Sequence, residues 1–171
     1  MTLQVGILLA LAAAPITDDN WRQHPVVRDV RRVQDEVESL RDMARLKRKR
    51  RTFDSCTRFQ DDISRTLYTD RGGVPRLYTR SAVSDDTAVN IKGYYDAKAR
   101  LRYLLVDAGA ANATAMRIRI YFDTDGQRLW ETRELFTGPG YPFPDPWPDK
   151  WIARDAAGAF ANPVDCAAAA P

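Results

Sequence analysis

The sequence is short of the residues that most catalytic and metal centres require. It holds one histidine, His24, and two cysteines, Cys56 and Cys166. One imidazole and two distant thiols do not make a tetrahedral zinc set. A Ser-His-Asp or Cys-His arrangement would have to recruit His24, which stands before Pro25 with no nucleophile context around it. A phosphate-cradling glycine loop is missing too, because Arg71-Gly72-Gly73-Val74-Pro75 is not followed by Lys-Ser or Lys-Thr. Asp123-Thr124-Asp125-Gly126 opens like a calcium loop but lacks the later ligands, and Asp before Gly is what a tight hairpin needs anyway. The carboxylate pairs Asp61-Asp62 and Asp85-Asp86 fall at strand or loop ends, where nothing in the sequence promises a shifted pKa. These absences predict a chain that is not an enzyme and that holds no metal and no cofactor.

Lysine is also scarce, with 5 against 21 arginines, and the net charge is only +3. That balance alone argues neither for nor against an anionic partner. A hydrophobic share of 44% with 29% charged residues excludes disorder throughout, and 171 residues suit one domain. No apolar run is long enough to span a bilayer. Val5 to Ala14 is an apolar, small-residue run ended by Pro15, with the length of a signal-peptide core, although no Lys or Arg precedes it. We read residues 1–20 as a signal peptide and short polar linker, which places the protein in the periplasm or among secreted bacterial proteins. In that oxidising compartment an even cysteine count predicts a Cys56–Cys166 disulfide.

The chain is organised around Ile63 to Phe136, where one β-hairpin is written three times. The copies are Leu67-Tyr68-Thr69-Asp70 with Arg76-Leu77-Tyr78, Tyr94-Tyr95-Asp96 with Arg100-Leu101-Arg102-Tyr103, and Tyr121-Phe122-Asp123 with Arg128-Leu129-Trp130. Asp70, Asp96 and Asp123 recur at a nearly constant interval, the mark of a repeated structural unit. The turns resemble the Tyr-Asp hairpins in the YD-repeat shells of large bacterial secreted toxins, through Tyr95-Asp96 and Phe122-Asp123 with Gly126 and Leu129. That resemblance covers a few residues per copy. The period here is longer, three copies cannot close a shell, and no function is carried over from it.

Before the hairpins, His24-Pro25 marks a helix start, and Val26, Val30, Val33, Val37, Leu40 and Ala44 form one apolar stripe. The fold class is therefore α+β: one long amphipathic helix on an antiparallel meander of about six strands. The expected packing sets Val33 and Val37 on Ile118, Ile120 and Leu101, and the return strand of the third hairpin should bulge near Trp130 and Glu131. The opposite face would then be wet, carrying Lys92, Tyr94, Arg102, Arg117, Arg119 and Tyr121. Residues 21–137 make this helix-plus-sheet domain. Residues 138–171 form a Pro/aromatic-rich and then Ala-rich extension packed on it as a strap, because Tyr141, Phe143 and Trp147 need cover.

The densest charge cluster, Arg45 to Arg51, is read as the end of the helix. Its candidate binding residues are Lys47, Arg48, Lys49, Arg50 and Arg51, joined on the sheet by Arg102, Arg117, Arg119 and Tyr121. Two functions follow. One is a small exported binding module for an unknown protein or other ligand, acting through the sheet face or loops. The other is an anion-binding protein using 45–51 at a membrane surface or on nucleic acid. Without interleaved aromatics nucleic acid is the weaker partner, and a monomer is expected.

Overall fold

A computed structural model of the chain describes residues 14–52 and 61–162, with the side chains of 61–63 left aside. Cys56 and Cys166, and the apolar run before Ala14, lie outside the described residues.

Helix α1 is Pro25–Asp42. Proline at its first position brings no N–H that would need a partner, and His24 caps it by accepting the Val26 N–H at 3.4 Å through Nδ1. The apolar stripe begins one residue later than expected: Val27, Val30 and Val37 are fully buried, whereas Ala44 is exposed. Each such valine contributes on the order of 1.5–3 kcal/mol relative to exposure. The helix does not run on into the basic cluster. Ala44 adopts φ 53°, its N–H donates to Arg41 O at 2.9 Å, and the Arg45 N–H donates to Leu40 O at 2.9 Å. This paired closure terminates the helix and turns the chain. Lys47–Thr52 is instead a strand, β1.

The sheet accordingly has seven strands, not about six. After β1 come β2 (Asp61–Thr69), β3 (Pro75–Val83), β4 (Thr87–Tyr95), β5 (Leu101–Ala110), β6 (Ala115–Phe122) and β7 (Arg128–Thr137), in spatial order β1 to β7. All neighbours are antiparallel, so the three repeated hairpins are β2β3, β4β5 and β6β7.

The repeated aspartate builds the turn. Asp70, Asp96 and Asp123 each donate their N–H to the carbonyl four residues on, at 3.0 Å in every copy. Each carbonyl accepts from the residue three ahead, and that residue is left-handed: Gly73 at φ 84°, Ala99 at 59°, Gly126 at 82°. The carboxylates close the loop by accepting the N–H of Val74, Arg100 and Gln127 at 3.0, 3.1 and 2.8 Å. This is the three-residue hairpin loop with a left-handed bulge position.

Beyond each turn the return strand carries one extra residue, and it is the sixth after the aspartate: Arg76, Arg102 and Leu129. The Arg-Leu pairs of the three copies are therefore not equivalent in space. The bulge expected near Trp130 and Glu131 is centred on Leu129. Arg76 Nε donates to Tyr95 O at 3.2 Å and its Nη2 to Glu36 of α1 at 2.7 Å. Arg102 does the same one hairpin later, with Phe122 O at 3.2 Å and Asp29 at 3.3 Å. Both arginines are buried. They use carboxylates on the helix to clamp α1 across the sheet.

The face assignment is reversed. Under α1 lies a row of direct cross-strand neighbours, Tyr68, Leu77, Tyr94, Tyr103, Tyr121 and Trp130. Tyr103 stands 5.6 Å from Tyr94 and 5.1 Å from Tyr121 between ring centroids. Val27, Val30 and Val37 pack on this row. Ile118, Ile120, Leu101, Leu104, Val106 and Phe122 belong to the other core, which the C-terminal extension covers with Phe143, Trp147, Ile152 and Ala156. Tyr94 suits the helix side because its hydroxyl reaches a polar partner there, donating to Glu38 at 2.5 Å. Gly93 lies beneath the Tyr95 ring, where a β-carbon would meet Tyr95 Oη at 3.0 Å and Cε2 at 3.2 Å.

The extension crosses the second face as a strap, then a 3-10 turn at Asp149–Trp151, then a short helix α2 (Ala156–Ala161). Arg51 donates to Phe160 O at 2.7 Å and Ala161 O at 2.8 Å, and Arg65 to Ala159 O at 2.7 Å. Two cations thus hold the negative end of α2 against β1 and β2.

If Arg102 clamps the helix, Arg102→Leu should destabilise the protein by about 1–3 kcal/mol, because Phe122 O loses its donor. Asp29→Asn should cost less than about 1 kcal/mol, since that carboxylate is half exposed. Urea unfolding of both variants checks the order.

Candidate functional site

The sequence-predicted binding residues do not form one surface. Lys47, Arg48, Lys49 and Arg50 are exposed along the edge strand β1. Pairing of Arg48 with Tyr68 and Lys49 with Leu67 sends alternate members to opposite faces. A charged edge of this kind discourages pairing with another sheet. Arg51 is engaged by α2. Arg102 is the buried clamp, and Tyr121 is buried between Tyr103 and Trp21. Arg117 meets Asp107 at 2.6 Å and lies over Phe136, while Arg119 meets Glu134 at 2.8 Å. The sheet arginines are thus matched by carboxylates, whereas the edge run is the concentrated positive charge.

A different site emerges on the second face. The strap does not close fully on the sheet beside the β3–β4 turn, and a slot of about 570 Å³ opens between them. Such a volume falls within the range of small-molecule pockets. Ala82, Val89 and Ile91 line the sheet side; Tyr141, Phe143, Trp147 and Trp151 supply the aromatic wall. The rings are packed in pairs, with centroids 4.7 Å apart for Tyr141 and Phe143 and 5.1 Å for Trp147 and Trp151. The strap itself is fixed from β7: Glu131 accepts the Trp147 N–H at 3.2 Å, and Arg128 donates to Trp147 O at 2.6 Å. Buried in this wall, the Trp147 indole N–H has no acceptor among the described residues.

Polar groups stand at the turn end of the slot: Ser84, Asp85, Asp86 and Thr87. Ser84 and Thr87 share a hydroxyl contact of 2.6 Å that shapes the turn. The Tyr141 hydroxyl donates to Asp86 at 2.6 Å, tying the strap to the turn. That hydrogen bond, helped by one from Ser84, holds the Asp86 carboxyl below its ordinary range and raises the Tyr141 phenol. The expectation that the Asp85-Asp86 pair has no perturbed member is thereby corrected. Among the described residues no group of three or more His, Cys, Asp or Glu gathers to hold a metal ion, and no helix is long and apolar enough to cross a membrane.

Sequence reasoning located the rings of the strap but treated them only as cover. The aromatic density of Tyr141, Phe143 and Trp147, set between prolines that hold the segment extended, was the available signal. Nothing in the sequence paired the strap with the β3–β4 turn. Comparison of the chain with protein-family models, curated proteins and solved structures gave no match. The functional reading therefore rests on the geometry.

Asp86 is stabilised in its ionised form, so the strap contact contributes above the ordinary carboxylate pKa and weakens as pH falls through the depressed one. Tyr141→Phe should raise the Asp86 pKa toward its ordinary value in a carboxyl-carbon NMR titration. An unchanged titration would mean that the hydrogen bond does not hold the loop.

Proposed function

We propose that this protein is a small non-enzymatic binding module, exported to the periplasm or medium, whose ligand lies in the slot between the strap and the β3–β4 turn. The observation that carries the reading is a 570 Å³ apolar, aromatic-walled cavity with its few polar groups gathered at one end. Ligand sites commonly combine this apolar lining with a small set of orienting polar groups. A rigid antiparallel sheet supplies one wall and an extended strap the other, so a ligand needs little rearrangement to enter.

A second reading, anion binding through the edge strand, is favoured by the exposure of Lys47, Arg48, Lys49 and Arg50 on consecutive positions. It differs in salt dependence, because counterions compete with such contacts and do not compete with apolar ones.

Octyl glucoside below its micelle concentration is a suitable neutral probe, followed by tryptophan fluorescence. Binding should be saturable, insensitive to salt and abolished by Val89→Trp, which fills the slot. If octyl glucoside does not bind, or Val89→Trp leaves binding intact, the slot is not the site. Heparin retention that falls steeply with salt and is lost on changing Lys47, Lys49 and Arg50 to Gln would then favour the edge strand.

A further inference from the structure

The walls of the slot differ in charge along its length. Arg80 lies in mid-strand, opposite Ile91, and is the one cation in the lining among the described residues. Asp85 and Asp86 lie at the tip of the β3–β4 turn. At roughly 3.3 Å per residue, the end of β3 at Val83 is about 10 Å further along than Arg80, and the carboxylates lie in the turn beyond it. Between them the lining is apolar or aromatic. Both carboxylates are exposed at the turn, and Asp86 accepts from the Tyr141 hydroxyl at 2.6 Å.

We propose that the slot accepts an amphiphile with a cationic head, the head seated at Asp85 and Asp86 and the apolar body lying among Tyr141, Phe143, Trp147 and Trp151. This deepens the reading of the slot as the ligand site and rests on it. Aromatic faces carry partial negative charge and attract ammonium groups, so rings and carboxylates act in the same sense. An anionic head would meet two carboxylates at the turn and the π faces of the rings. A quaternary or alkylated ammonium fits better than a bare one, because its methyl groups keep contact with the rings while the charge faces the carboxylates. The overall charge of +3 supplies no preference for cations, so such a preference must come from the site itself.

The test uses the full chain and three probes that share one alkyl chain: octyltrimethylammonium, octyl glucoside and octyl sulfate, all below their micelle concentrations. Tryptophan fluorescence should give octyltrimethylammonium an affinity about tenfold or more above octyl sulfate. The double variant Asp85→Asn, Asp86→Asn should remove that preference, with octyl glucoside still bound and still blocked by Val89→Trp. Asparagine still accepts the Tyr141 hydroxyl, so the strap keeps its tie. If octyl glucoside binds and Val89→Trp blocks it, but octyl sulfate binds as tightly as the ammonium, the cationic head is wrong and the slot stands. If the preference survives in the double variant, the carboxylates do not supply it and the inference is overturned. If no probe binds, the slot reading fails with it.

Discussion

A single antiparallel sheet with two apolar faces has to be covered twice, and that requirement organises this molecule. One side is a ridge of tyrosines and the other a largely aliphatic bed of Ile, Leu and Val that also holds Tyr78, Tyr95 and Phe122. Helix α1 seats on the ridge, where the Tyr94 hydroxyl donates to Glu38 of the helix. The aliphatic bed is closed by the strap and α2, with the Tyr95 hydroxyl donating to Ala153 O of the extension. The seven strands hold together as a meander because each hairpin is short-range, but neither face would remain dry without its own cover.

The repeated hairpin supplies more than strands. In the first two copies the bulge residue is an arginine that donates to the carbonyl preceding the next hairpin's aspartate and reaches a carboxylate on α1. In the third copy that position is Leu129, which packs with the tyrosine ridge. Among the described residues no further hairpin follows β7, so an arginine there would have no next carbonyl to satisfy it. The departure from the repeat is thus explained by position in the sheet. Asp96 shows how tightly a copy is knit: burial opposes its ionisation, yet the Arg100 side chain and the N–H groups of Arg100 and Lys98 outweigh burial and keep it below the ordinary carboxylate range.

Much of this architecture was legible in the sequence. The three aspartates, the helix stripe and the proline-rich strap each express a local rule, and local rules survive folding. The helix end was misread because Arg45 to Arg51 has no glycine or proline to mark a stop, and Ala44 supplies the left-handed residue instead. The same lack of punctuation hid β1, whose residues carry no alternation of polar and apolar side chains. The faces were exchanged because alternation shows which residues lie together and not which cover each receives. The slot was the least legible feature, since it joins residues far apart in the chain, as the 55-position separation of Asp86 and Tyr141 shows.

The slot exists because the strap is a structural layer with rings fixed at set places. Trp147 is the centre of that layer: it is 2% exposed, contacts the aliphatic core and lines the slot. Its backbone is held from β7 at both the N–H and the carbonyl, so the ring cannot slide along the sheet. Urea unfolding of Trp147→Ala measures directly whether the second face depends on this cover. A loss of about 3–5 kcal/mol, the usual cost of emptying a buried aromatic site, is the predicted result. A variant as stable as the parent chain would show that the aliphatic face does not need the strap, and the two-cover account would be wrong.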